Sequence, residues 1–320
     1  MQVSQAERLL RRIEWTAFRR LDGLLQGDYR TLFRGAGVDL IDLREYQPHD
    51  DVRHIDWNVT ARLQVPHVRQ YAEEREMSAW FLIDLTPSTG FGSVGRSKRD
   101  AILEFVLLLA RLIVARGNRV GALVYGRGID ALVPPGTGRR HVLSLAHRLL
   151  SMPQLGVVGP TRLALPLERL GAMMRRRSTL FVVSDFLSEP GWELPLGRLA
   201  QRHDVLAVWV RDPLEAQLPA VGLMTFTDPE TGETLFVDST DPALRRRYGA
   251  IAEREGQRIE AVFARTGVPR LRLSTERDVV TDLLDYLLER RALRHLAAAP
   301  GARAGPRSDE PTPSHAEISR

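Results

Sequence analysis

Four short, nearly uninterrupted apolar runs, AWFLIDLT, RVGALVYG, STLFVVSDF and DVLAVWVRDP, alternate with stretches of helical apolar spacing. A strand that is apolar along its whole length must be covered on both faces, as in a parallel sheet sandwiched between helices. SKRDAILEFVLLLARLIVARG, between the first two runs, has a Ser start and a Gly stop at Gly117. RRHVLSLAHRLLSM, LALPLERLGAMMRRR, WELPLGRLAQR and segments near 241–266 and 277–296 also read as helices. GIDALVPP is a short strand ended by prolines, RLRLST a last strand, and LMTFTDPETGETLFVDST a β-hairpin around a Pro/Gly turn. The pattern predicts an α/β fold: a doubly wound, mostly parallel sheet in a three-layer, Rossmann-like arrangement, with an N-terminal extension and a hairpin insertion. Residues 1–77 form a helix and a charged, irregular region, 78–296 the α/β domain, and 297–320 a small, polar, Pro-rich disordered tail.

Composition removes several function classes. No Cys is present, so there is neither a disulfide nor a thiolate site. The net charge is only +5, and the sequence pI near 10.0 reflects arginine: Lys98 is the single lysine. So modest and dispersed an excess argues against nucleic-acid binding. FVLLLARLIVA spans eleven residues and is split by Arg111, too short for a membrane span. The opening segment reads as an Arg-rich amphipathic helix rather than a secretory signal, so a cytoplasmic location is expected.

Sites in open parallel sheets lie at the carboxyl ends of strands. FLIDLTPST places Asp84, Thr86 and Ser88 there, and FVVSDF places Ser184 and Asp185. Alternate residues of an extended segment point the same way, so one carboxylate and two hydroxyls can converge on a point. Such oxygen sets suit a hard cation, and Thr161 and Asp185, from two other loops, are positioned to complete or brace the shell. The bland alternatives are a strand-end Asp that caps its own loop and, for Thr161, a helix N-cap. A phosphatase of the haloacid-dehalogenase type needs a second Asp where Thr86 stands. The phosphate-loop spacing is absent around Ser93, Ser97 and Lys98.

REYQPHDDVRHIDWN invites a metal-hydrolase reading through His49, Asp50, Asp51, His54 and Asp56. Its dense arginines oppose a cation, and no helical periodicity orders the ligands. The favoured reading is a structural network of Arg44, Arg53 and Arg62 with Glu45, Asp50, Asp51 and Asp56, anchored by packing of Tyr46 and Trp57.

Strand, Asp-x-Ser/Thr-x-Ser, helix, a later loop Thr and a strand-end Asp together resemble a von Willebrand factor type A domain. By that resemblance the metal-ion-dependent adhesion site comprises Asp84, Thr86 and Ser88, then Thr161, then Asp185; Thr86 replaces the commoner Ser. The resemblance implies a divalent cation, Mg2+ or alternatively Mn2+ or Ca2+, with one position left for a partner's carboxylate. LREYQPHDDVRHIDWNVTARL, DPETGETLFVDSTD and RRRYGAIAEREGQRIEAVFARTGV are further similar to the bacterial domain-of-unknown-function 58 family, over about residues 30–290. That family commonly has Gly where this chain has His49. Many members are associated with MoxR-type AAA+ ATPases, which implies a non-enzymatic adaptor or co-chaperone that binds such an ATPase and its client. The alternatives are a Mg2+-dependent phosphohydrolase using Asp84 and Asp185 or the His49–Asp56 cluster, and a scaffold protein whose metal site is empty.

Overall fold

The computed structural model describes residues 42–298, apart from 49, 53–54, 71–77, 94 and 158, together with the isolated Glu7. The expected opening helix and the tail beyond residue 298 lie outside the described residues. Two short strands, β1 (Asp42–Glu45) and β2 (His67–Gln70), pair antiparallel around a short helix α1 (Trp57–Leu63).

The main domain begins with β3 (Ser78–Asp84). In order follow α2 (Lys98–Ala115), β4 (Arg119–Tyr125), β5 (Ile129–Gly136), α3 (Arg139–Ser151) and α4 (Ala164–Met173). Next come β6 (Thr179–Ser184), α5 (Glu193–Arg202), β7 (Asp204–Arg211) and the one-turn α6 (Pro213–Ala216). The chain ends with the hairpin β8 (Leu223–Thr227) and β9 (Thr234–Asp238), then α7 (Pro242–Thr266), β10 (Arg270–Ser274) and α8 (Val279–Ala298).

Six strands form one sheet in the order β10-β7-β6-β3-β4-β5, parallel except for the antiparallel pairing of β5 with β4. Strand alternation divides the core. Phe81 and Ile83 face the layer of Phe105, Leu109, Val142 and Leu283, while Trp80 and Leu82 face Leu167, Leu196 and Phe263. Across the central pair, Phe81 and Phe181 stack with ring centroids 5.0 Å apart. The expected α/β, mostly parallel, three-layer architecture is what the chain adopts. From β3 the chain runs outward through β4 and β5, then returns to the other side of β3 to lay down β6. The order therefore reverses between β3 and β6, and open sheets of this kind place their ligand sites at the strand carboxyl ends beside such a reversal.

Three local expectations are corrected. Among the described residues, Asp42–Glu45, Trp57–Leu63 and His67–Gln70 are not irregular but form the β1–β2 ribbon and α1; strands this short and polar carry too little apolar alternation to be read. Asp56 starts α1 by accepting the Asn58 and Val59 amides at 3.0 and 3.2 Å, and Trp57 is 69% exposed rather than an anchor. β5 continues through Pro134 and Pro135 instead of ending at them, as an edge strand allows.

Candidate metal centre

Asp84 is the last residue of β3 and lies at the reversal point. The next residue, Leu85, still donates its amide to the Tyr125 carbonyl at 2.8 Å. Pro87 then opens a 3-10 turn, Pro87–Gly90, that folds the segment back. The Thr86 amide and hydroxyl donate to Asp84 Oδ1 at 2.9 and 2.6 Å. The hydroxyls of Tyr125 and Ser184 donate to Oδ2 at 2.8 and 2.6 Å. Asp84 is wholly buried, yet these four donors to it, from Thr86, Tyr125 and Ser184, are all neutral. Burial, then the nearby charge of Asp185, push its carboxyl well above the usual carboxylate range, against the hydrogen bonds from Ser184 and Thr86. Burial and the charge of Asp84 likewise raise the Tyr125 phenol.

Thr86 Oγ and Ser88 Oγ stand 3.2 Å apart. An octahedral site with metal–oxygen distances near 2.1 Å has an edge of about 3.0 Å. The two hydroxyls hydrogen-bond to each other at a separation that adjacent corners of such a site could also take, which makes the first loop a candidate for a hard cation.

The third loop is built on a strained turn. Phe186 holds φ at 58°, unusual for a bulky residue. Its buried ring is fixed against Phe263 and Trp192, at 5.0 and 5.3 Å between centroids. The Trp209 indole N–H donates to the Asp185 carbonyl at 3.0 Å, so the backbone is also pinned. Asp185 Oδ1 accepts the Leu187 amide at 3.0 Å, and Oδ2 accepts Lys98 Nζ at 2.6 Å. Lys98 bonds Glu215 as well, at 2.5 Å, and is itself 1% exposed. Burial raises the Glu215 carboxyl, and Lys98 opposes that rise.

Thr161 belongs to the second loop. The N-cap position of α4 is Leu163, without a side-chain cap, so Thr161 is not spent on that helix. Its carbonyl accepts the Glu189 amide at 2.9 Å and Ser188 Oγ at 3.0 Å, which stitches the second loop to the third. Its own hydroxyl donates to Glu230 at the tip of the β8–β9 hairpin.

The structure thus joins Asp84, Thr86 and Ser88 directly and sets Asp185 close enough to act on Asp84 through its charge. Thr161 is linked to the group through its backbone. Among the described residues no three His, Cys, Asp or Glu side chains cluster for a metal, so a site here rests on two carboxylates and hydroxyls. Lys98, Glu215, Tyr125 and Glu230 were not anticipated; only Lys98, the lone lysine of an arginine-rich chain, left a trace in the sequence. Ser93 and Ser97, next to the Gly-rich GFG, are structural. Ser93 donates twice to Asp212, and Ser97 caps α2 in a capping box with Asp100. His49, Arg53 and His54 lie outside the described residues.

Among known proteins, Mb1516 of Mycobacterium bovis and Rv1480 of Mycobacterium tuberculosis, both called uncharacterized, are each 38% identical over 284 residues. The alignments cover 88% of this chain and 89% of each relative. The crystal structure of the conserved hypothetical protein BatB from Bacteroides thetaiotaomicron aligns with 68% of this chain and 99% of its own, at 13% identity and a TM-score of 0.44. An aerotolerance-related membrane protein from Bacteroides fragilis gives the same TM-score at 12% identity. In this chain no described helix is long and apolar enough to cross a membrane. Residues 42–258 match the family described as protein of unknown function DUF58, and the chain belongs to that family.

Proposed function

We propose that this chain is a non-enzymatic protein-binding module that holds a divalent cation with Asp84, Thr86, Ser88, Thr161 and Asp185. The observation that carries this reading is a wholly buried carboxylate at the sheet's reversal point, met by neutral donors, beside two hydroxyl oxygens one octahedral edge apart. When bound, the cation supplies a positive, Lewis-acidic anchor for a partner's carboxylate. Mg2+ suits the all-oxygen set, with Mn2+ and Ca2+ as alternatives.

The chain's own residues do the positioning. Tyr125 and Ser184 orient one face of Asp84 and Thr86 the other, so the carboxylate cannot swing away. Lys98 draws Asp185 and Glu215 together and offsets their repulsion. By family resemblance, the module serves in the cytoplasm as adaptor or co-chaperone to a MoxR-type AAA+ ATPase acting on a client protein.

The test pairs calorimetry with capture. Wild type should bind Mn2+, and Asp84→Asn should weaken that binding at least tenfold. Capture of a MoxR-type ATPase should fail in EDTA and in Asp84→Asn. Capture that ignores both changes refutes the metal-dependent mechanism.

A further inference from the structure

The five candidate ligands are between 0 and 7% exposed, so a partner cannot reach them as they stand. At Thr161 the cover is identifiable. Glu230 accepts the Thr161 amide at 3.0 Å through one carboxylate oxygen and the Thr161 hydroxyl at 2.5 Å through the other. The Gly159 amide adds a bond to the Glu230 carbonyl at 3.2 Å. The hairpin turn presents this carboxylate in a fixed pose: Asp228 accepts the Glu230 amide at 2.8 Å and the Thr231 hydroxyl at 2.9 Å.

We infer that the Thr161 amide and hydroxyl form a carboxylate-binding subsite, that Glu230 is its internal occupant, and that a partner's acidic side chain enters by displacing the hairpin. The displacement step rests on the protein-binding reading above; the subsite does not. An N–H and an O–H from one residue, matched to the two oxygens of one carboxylate, make a charge-assisted pair that selects carboxylates. The hairpin is suited to leave. It stands outside the six-stranded sheet, and an isolated two-stranded hairpin has little stability of its own. Leu223 and Phe236 along it are 86 and 77% exposed. Its base is pinned instead: the Ser239 amide and hydroxyl donate to the Gly222 carbonyl at 2.8 and 2.7 Å, so the tip can lift while the base holds.

Hydrogen exchange of the full chain tests this. In Glu230→Ala, exchange at residues 228–233 and 159–161 should rise about tenfold or more, with the global unfolding midpoint unchanged. Glu233→Ala, in the same turn, should leave it unchanged. A tri-glutamate peptide should open the wild-type tip in Mg2+, whereas tri-glutamine should not. Tip exchange within twofold of wild type in Glu230→Ala overturns the subsite; failure of tri-glutamate to open the tip overturns displacement. If tri-glutamate opens the tip equally in Mg2+ and EDTA, the subsite stands and the cation's role in binding falls.

Discussion

Lys98→Met is the most demanding test of the site's electrostatics. Methionine keeps the unbranched stem and removes the ammonium. Lys98 and Asp185 are 1 and 2% exposed, so their pair is cut off from water, while Glu215, at 23%, is partly screened. Removing one partner of a fully buried ion pair costs about 3–5 kcal/mol, because the carboxylate left behind has neither water nor a counter-charge. The Glu215 contact adds about 1 kcal/mol at most. In a domain of this size the two together lower the unfolding temperature by roughly 6–24 °C. Burial would lower the Lys98 pKa, but Asp185 and then Glu215 hold it above its ordinary value. A raised lysine contributes fully below its unfolded pKa of 10.5 and loses that contribution only as pH rises through the folded value. The penalty should therefore be flat between pH 7 and 9. Urea unfolding at both pH values measures it. Lys98→Met/Asp185→Asn should recover most of the loss, since neither member of the buried pair then carries charge. A single-variant loss under about 1 kcal/mol, or a double variant no more stable than the single, would refute the buried-pair reasoning.

His203 is 4% exposed, and among the described residues neither ring nitrogen has a hydrogen-bond partner. Burial, then the charges of Arg202 and Arg177, lower its pKa, with Asp204 opposing. The unfolded chain thus takes up this proton first, and the stability is present above the ordinary value of 6.5 and lost as pH falls from there toward the folded value. Urea midpoints between pH 8 and 5 should fall less steeply in His203→Leu; parallel slopes would show that this ring is not responsible. Phe181→Ala removes a wholly buried ring from the Phe81 stack and should cost about 3–5 kcal/mol in the same assay.

Those features that declare themselves locally were legible. β3, β4, β6 and β7 are buried on both faces, so nearly every residue reports the environment. Asp84, Thr86 and Ser88 sit within one turn, where alternation alone brings their side chains together. Pairings across the chain left no such trace. Lys98 meets Asp185 over 87 positions and Glu215 over 117, while Thr161 meets Glu230 over 69. Nothing in DPETGET distinguishes the Glu that bonds Thr161 from the Glu three residues later. Trp57 misled for the opposite reason: its size suggested packing, but α1 has no buried residue to pack with.

The charge balance at the reversal point concentrates on Asp84. Lys98 serves Asp185 and Glu215, whereas Asp84 carries its charge among hydroxyls and one amide. Asp84→Asn should then separate stability from cation response. The amide oxygen can keep both Thr86 donors, and the amide NH2 can donate to Tyr125 and Ser184, whose hydroxyls reverse their role. Four hydrogen bonds to the side chain can be kept and a buried charge is removed, which offsets the acceptor lost to the Ser184 hydroxyl proton, so in EDTA the variant should lie within about 2 kcal/mol of wild type. Adding Mn2+ should stabilise wild type by about 2.7 kcal/mol at a hundredfold excess over its dissociation constant, and the variant, binding at least tenfold more weakly, by about 1.4 kcal/mol or less. If Asp84→Asn unfolds in EDTA with a loss above about 2 kcal/mol, the anionic carboxylate is needed by the fold itself. Asp84 would then be a structural acceptor, and the charge held for a cation would have to be sought elsewhere.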